Sequence, residues 1–376
     1  MLRLSCLARQ AKDSVLKKDF PCSRLLTLNR PEKLNSIHGE VGVLFKRYIR
    51  DTPHPKKNAV YIIAAAGKHF SVGGDLIEHL KLDPPYKGMG LWTVLQGQTD
   101  LRIQQSTDAV FVSLIQGYLM GGTVGMPLSC QHRVGFESTR FAMPENKIGF
   151  YTNGEATWYL PRIPIKGLGL YLALTGVQLK GADVFHAQLC NHYCRLDQLD
   201  TLRENLCHIQ DPNQVEECIR AVHHDTVPAL TFEGELQMLE NVFALDKSTR
   251  LEDVICKLEA AAHKSAMAKS ALEVMKPYCP LSLKVTLRAL QNTLEFTDMK
   301  DAIALETCAS QKMCQLSAFR EGIRAYFIDK TNAPQWEWKT VSDVPDTLVD
   351  SVFDLRNPSQ LYVFDPEKDP ESCYVE

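Results

Sequence analysis

No apolar stretch in this 376-residue chain approaches the roughly 20 residues that a membrane-spanning helix needs, so nothing in it reads as a transmembrane segment. There is no basic surplus either. With a net charge of −3 the chain as a whole lacks the positive balance of a protein that coats nucleic acid, although a local basic patch stays open. It has no Cys-x-x-Cys pair and no internal repeat. Twelve cysteines are present but scattered. Their one tight group, Cys190 and Cys194 with His186 and His192, fits no standard zinc-finger spacing. Free buried thiols in a reducing compartment account for them better. The hydrophobic fraction of 45% is that of an ordinary globular protein, and the length admits one large domain with an appendage or two domains.

Two glycine pairs carry most of the information. Gly73-Gly74 lies in His69-Phe-Ser-Val-Gly-Gly-Asp75, and Gly121-Gly122 in Met120-Gly-Gly-Thr-Val-Gly125. Each follows a short apolar run, Ala59–Ala66 and Ala109–Gln116, that reads as a buried strand. Each precedes a segment that reads as a helix start, with Asp75 near the positive end of the first. Unpaired helix N-terminal N–H groups at such junctions can meet a developing oxyanion, and two of them aimed at one point make an oxyanion hole. Both pairs also suit close-packed turns. Phe141-Ala-Met-Pro-Glu145 follows with a carboxylate on a turn, and a carboxylate beside an oxyanion hole is sufficient for chemistry on a thioester.

These strings, in this order, resemble the crotonase (enoyl-CoA hydratase/isomerase) superfamily, whose opening strand and turn are similar to Leu26-Thr-Leu-Asn-Arg-Pro-Glu-Lys-Leu-Asn-Ser36. Within the superfamily the chain is most similar to the 3-hydroxyisobutyryl-CoA hydrolases. Tyr159-Leu-Pro-Arg162, Leu172–Gly176 and Leu179–Asp183 match their middle. Ser282–Arg288, Phe319–Ala325 and Ile328-Asp-Lys330 match a long C-terminal part that hydratases lack. The resemblance runs from about residue 21 to about residue 340. It implies an α/β fold, a crotonase-like spiral of ββα units with a helical C-terminal region. It places the oxyanion N–H groups on Gly74 and Gly122, and the carboxylate that attacks the thioester or activates water on Glu145. CoA is expected along the Gly67–Asp75 loop, with Gly73, Asp75, Gly121 and Asn35 as further substrate contacts. An acyl-CoA is then the substrate, and no metal or redox cofactor is needed.

Two positions depart from the family pattern. The family usually has Phe-Pro-Asp-Val-Gly where this chain has Tyr151-Thr-Asn-Gly-Glu155, so its second acid falls on Asn153. Another family acid, also a substrate contact, falls on Gly97. Asparagine offers one acceptor and one NH2 donor and cannot act as a base. It can still hold a substrate hydroxyl, but a lost proton shuttle slows a step by roughly 10²–10⁴-fold. Glu155, nearby in sequence, reads as a solvated surface acid.

Residues 1–20, basic at the start with leucines at 2, 4 and 7, resemble a mitochondrial presequence, against the reading of a frayed N-terminus. The expected division is then a core over 21–225, a helical region over 226–340 and an extended tail over 341–376. Within the helical region, Val254–Met275 is alanine-rich and strongly helix-forming, with Pro277 and Pro280 ending it, and Leu281–Leu294 and Lys300–Gln315 read as two more helices. Met267, Met299 and Met313 read as core filler, and Trp336 and Trp338 as pins for the tail. Two functions remain. One is a mitochondrial acyl-CoA thioester hydrolase of valine breakdown. The other, implied by relatives that serve in the mitochondrial ribosomal small subunit, is a structural subunit bound to protein and rRNA. The oligomeric state is open.

Overall fold

The computed structural model describes residues 14–80, 85–224, 226–356 and 361–375. Residues 1–13 of the expected presequence lie outside them, whereas Val15–Asp19 is strand β1. The chain folds as two units. One comprises the residues through Asp75, Leu95–Phe141 and Leu179–Thr231, and the other Leu76–Val94, Ala142–Gln178 and Phe232–Glu376.

The first unit is built on a six-stranded sheet. Strands β2 (Ser23–Leu28), β3 (Ala59–Ala65), β4 (Ala109–Ile115), β6 (His132–Phe136) and β9 (His192–Cys194) run parallel, and β1 pairs antiparallel with β2 at the edge. All seven residues of β3 are buried. Uninterrupted apolar strands of this kind belong to parallel sheets covered on both faces. Val60, Ile62, Val112, Leu114, Val134 and Phe136 pack on one face against Leu202, Leu206, Val215 and Ile219, from the helices Leu199–Cys207 and Val215–Arg220. A second, three-stranded sheet orders β5 (Tyr118–Met120), β7 (Arg140–Ala142) and β8 (Leu179–Lys180).

The second unit is helical. Its helix Leu168–Thr175 is buried on every residue, as expected of a helix apolar all round. The expected continuous helix over 254–275 is instead two, Leu251–Ala261 and Ala266–Met275. The Ser265 hydroxyl accepts from the Ala268 N–H and so starts a new helix. Pro280 does not end a helix but opens the next, Pro280–Thr293, at the first-turn position where its missing N–H costs nothing. Met299–Gln315 follows as read, with Met299 and Met313 buried and Met267 half-buried.

The tail is not a loose extension. Asp346–Val352 is a helix that buries Val349 and Val352, and Lys284 and Arg288 pair with Asp346 and Asp350. Gln311 binds both backbone groups of Tyr362, at 2.7 and 2.8 Å. Trp336 donates to the Pro277 carbonyl at 2.9 Å.

Two glycines of the second unit make opposite cases. A Cβ at Gly322 would lie 1.9 Å from the Ile148 carbonyl oxygen, whereas one at Gly234 would meet nothing within 4 Å. Gly322→Ala is expected to lower stability by roughly 1–3 kcal/mol through forced backbone displacement. Gly234→Ala is expected to be neutral or to stabilise by up to about 1 kcal/mol. Urea denaturation of the two variants checks this, and equal midpoints would refute the close approach.

Candidate active site

In the first unit the two glycine pairs meet. Ser71 and Leu119 form a parallel bridge, with the Ser71 N–H donating to the Tyr118 carbonyl and the Met120 N–H to the Ser71 carbonyl. A Cβ at Gly73 would lie 3.1 Å from the Met120 oxygen and 3.7 Å from the Gly122 nitrogen, and φ there is +99°, so this position needs glycine twice over. Ile37 brackets Gly74, donating to the Gly73 carbonyl at 2.9 Å and accepting from the Asp75 N–H at 2.7 Å. Strand alternation then turns the Gly74 N–H away from that bridge. Gly121–Thr123 is a single turn of 3₁₀ helix, and Gly122 sits in its first positions. Among the described residues neither the Gly74 nor the Gly122 N–H donates to an acceptor.

The other expected contacts of this unit serve that geometry. The Asn35 side chain accepts from the Arg30 N–H and donates to the Ala66 and His69 carbonyls at 2.9 and 2.8 Å. Its amide is therefore committed to holding the turn against the glycine loop. Asp75 pairs with Arg30 at 3.2 Å, immediately before the helix Leu76–Leu80. Gly97 is buried within the helix Pro85–Gln104, and the preceding Gln96 donates to the Gly122 carbonyl at 2.7 Å.

The second unit holds the carboxylate. Glu145 opens the short turn Glu145–Ile148 and is 6% exposed. The turn is held from several helices. Asn146 donates to the Ala173 carbonyl at 2.7 Å and accepts from the Thr286 hydroxyl at 2.7 Å. The Gly149 N–H closes the turn, and Gly149 lies against the Ala318 carbonyl. The segment that follows has little regular structure, so its polar backbone must find side-chain partners. Thr286 accepts from the Thr152 N–H at 3.2 Å. Glu306, on the helix Met299–Gln315, accepts from the N–H groups of Glu155 at 2.8 Å and Thr157 at 3.3 Å, and from the Thr157 hydroxyl. Asn153 is 7% exposed, with its amide 3.5 Å from the Ser310 hydroxyl. That hydroxyl also bonds Tyr151 at 3.0 Å.

Glu306 is the residue that reading the sequence missed, because a glutamate inside a long helix reads as a solvated face. Glu155, expected at the surface, is 3% exposed, with φ +62°. Its left-handed backbone is of the kind that glycine adopts without strain. That conformation costs a residue with a side chain roughly 1–2 kcal/mol.

Burial pushes the Glu145 carboxyl up to about 8, and the neighbouring Glu306 carboxylate adds to the rise. Burial also raises Glu306, whose hydrogen-bond donors pull the other way. Glu145 Oε2 has no hydrogen-bond partner among the described residues. An unpartnered oxygen on a buried acid is costly to the fold and marks the group as poised for a ligand.

The cysteine and histidine group does not converge. Burial pushes the Cys190 and Cys194 thiols up to about 12. His186 bonds the Pro228 carbonyl at 2.8 Å, and His192 faces His132 at 3.1 Å instead.

A family model described as enoyl-CoA hydratase/isomerase matches residues 23–353. The chain belongs to this family. It is similar to the mitochondrial 3-hydroxyisobutyryl-CoA hydrolase of Xenopus tropicalis, 30% identical over 90% of this chain and 88% of that one. It is also similar to the Homo sapiens protein of that name, 28% identical over 96% and 93%. Among solved structures, a carnitinyl-CoA dehydratase from Mycobacterium thermoresistibile superposes with TM-score 0.81 at 25% identity, covering 95% of this chain and 99% of that one. An enoyl-CoA hydratase from Rhodobacter sphaeroides 2.4.1 gives 0.78 at 25% identity, covering 90% and 97%. The α/β crotonase fold read from the sequence is therefore the fold of this chain.

The raised Glu145 carboxyl has a consequence for stability. Its folded value lies above its unfolded one, so the folded state holds an extra proton between them, and stability falls as pH rises from about 4.5 to about 8. Glu145→Gln removes this dependence. The variant's melting temperature is expected to match or slightly exceed wild type at pH 5 and to exceed it by several degrees at pH 8. A constant difference across that range would refute the buried, protonated acid.

Proposed function

We propose that the chain is an acyl-CoA thioester hydrolase acting on a 3-hydroxyacyl thioester of the 3-hydroxyisobutyryl-CoA type, in mitochondrial valine breakdown. The observation that carries this reading is a buried Glu145 whose Oε2, like the N–H groups of Gly74 and Gly122, has no partner among the described residues. Full-length similarity to proteins named mitochondrial 3-hydroxyisobutyryl-CoA hydrolase supports the acyl group and the compartment.

In this mechanism the N–H groups of Gly74 and Gly122 take the thioester carbonyl oxygen, and hold it more tightly as it becomes an oxyanion. Glu145, as the carboxylate, attacks the carbonyl carbon or draws a proton from the water that does so. Where Glu145 attacks, the carbon–sulfur bond breaks as a mixed anhydride forms, CoA leaves as the thiolate and takes a proton from solvent, and water hydrolyses the anhydride to the free acid. Where Glu145 activates water, the carbon–sulfur bond breaks and the proton it drew passes to the departing sulfur. Asn153 holds the 3-hydroxyl through its amide. Gly73, Asp75 and Gly121 shape the loops along CoA, the Asn35 turn supports them, and Gly97 leaves room where relatives carry an acid. Glu306 is a positioning residue that fixes the 155–157 backbone.

A second reading rests on Asn153. A chain that keeps the oxyanion glycines but lacks this acid fits a structural subunit of the mitochondrial ribosomal small subunit. Hydrolysis of 3-hydroxyisobutyryl-CoA by the purified protein separates the two. Glu145→Gln is expected to lower kcat/KM by roughly 10²–10⁴-fold. Wild-type kcat/KM is expected to rise with pH to a plateau above about 8, where Glu145 ionises in the free enzyme. No turnover by wild type, with turnover gained by Asn153→Asp and with co-sedimentation on small ribosomal subunits, would establish the structural role instead.

A further inference from the structure

His132 opens β6, and His192 opens β9, its parallel neighbour. The register pairs His192 with Val134, and side chains two residues apart on a strand share a face, so both imidazoles project from the same side of the sheet. The helix Val215–Arg220 buries Val215 and Ile219 in the same apolar cluster as Val134, and its Glu216 reaches both rings.

Three donor atoms result. His132 Nδ1 and His192 Nε2 are 3.1 Å apart. Glu216 Oε2 lies 3.6 Å from the first and 3.7 Å from the second. Two nitrogens and one oxygen held 2.0–2.1 Å from a tetrahedral ion stand roughly 3.4 Å from one another, and the three separations bracket that value. The other carboxylate oxygen, Oε1, accepts from Arg220 Nε at 3.0 Å, which turns Oε2 towards the rings. Arg133 is the other nearby cation, and its guanidinium is taken up by the Cys130, Gln188 and Leu189 carbonyls. His223 also faces His192 and bonds its own neighbours, the Tyr193 N–H and the His224 carbonyl. The cluster is only partly covered, with the three side chains 21%, 12% and 41% exposed, so solvent can supply a fourth ligand.

We infer that His132, His192 and Glu216 form a binding site for a single divalent zinc ion that ties β6, β9 and the helix Val215–Arg220 together. None of the three is among the residues assigned to thioester chemistry, so the inference does not depend on that assignment. Two imidazoles and a carboxylate suit a borderline ion such as Zn²⁺ rather than the oxygen-seeking Ca²⁺ or Mg²⁺. In the sequence, His192 stands beside Cys190 and Cys194. His132, sixty residues away, enters through strand order alone.

The test uses tag-free, full-length protein stripped with a chelator and titrated calorimetrically with Zn²⁺, with Co²⁺ as an absorbing probe. The expected result is one equivalent of Zn²⁺ bound, a Co²⁺ ligand-field spectrum of low coordination number, and a melting temperature raised by Zn²⁺ and restored by chelator. His132→Ala and His192→Ala are expected to weaken Zn²⁺ binding at least ten-fold each, and Glu216→Gln by a smaller factor. His186→Ala is expected to leave binding unchanged. Glu216→Gln, a surface change of equal size, keeps the test valid should a histidine variant fail to fold by circular dichroism. No stoichiometric Zn²⁺ binding, or equal affinity in folded His132→Ala and His192→Ala proteins, would overturn the site and leave a hydrogen-bonded histidine pair.

Discussion

The carboxylate of Glu306 is the acceptor on which the segment after Glu145 depends. That segment makes one short helix and otherwise turns, so its N–H groups have no ladder to join. Glu306 satisfies those of Glu155 and Thr157 together, and adds the Thr157 hydroxyl. Removing the acceptor would strand three buried donors at once, each at a cost of about 1–3 kcal/mol. The same charge acts on Glu145, because a buried anion nearby discourages a second ionisation. One side chain thus fixes the loop geometry and adds to the rise that burial gives the acid assigned to attack.

The oxyanion junctions rest on a different logic. In the proposed mechanism backbone N–H groups do the chemistry there, and side chains serve to aim them. Asn35 spends its whole amide on Arg30, Ala66 and His69, and Ser71 bonds the Asn35 carbonyl at 2.8 Å. Gln96 holds the Gly122 carbonyl from behind. Because these partners are neutral amides and hydroxyls rather than charges, the aim does not change with pH. The acid carries the pH dependence, and the glycines do not.

How much of this was legible depended on how local each signal was. Strands β3 and β4 were readable because burial on both faces demands an unbroken apolar run, and both appear within a residue of their expected ends. The glycine junctions were readable because φ near +99° and a backbone neighbour at 3.1 Å admit little else at Gly73. The break at residues 262–265 was not. Helix propensity favours alanine everywhere, and only the Ser265 cap decides against continuation. The packed tail was not readable either, since Gln311 reaches Tyr362 across 51 residues and a polar, proline-rich stretch gives no local sign of a partner. Glu306 escaped for the same reason, because its partners lie about 150 residues upstream.

Asn153 and Glu155 are best understood together. An aspartate at 153 would add a further acid to a region that already buries Glu145, Glu155 and Glu306, and an added charge there pushes Glu145 and Glu306 further towards their protonated forms. This chain has an uncharged amide at 153 and a buried acid at 155, two residues on, at a position whose left-handed backbone suits glycine. The number of acids in the segment is therefore kept while the atom facing Ser310 becomes a donor. A donor at 153 can serve a substrate hydroxyl only as that hydroxyl's hydrogen-bond partner, never as its base, and the proposed mechanism gives proton movement to Glu145. The chemistry proposed for this site needs one titrating carboxylate. Attack on a thioester carbonyl is such a reaction, since the thiolate that leaves is a weak enough base to depart with little acid assistance.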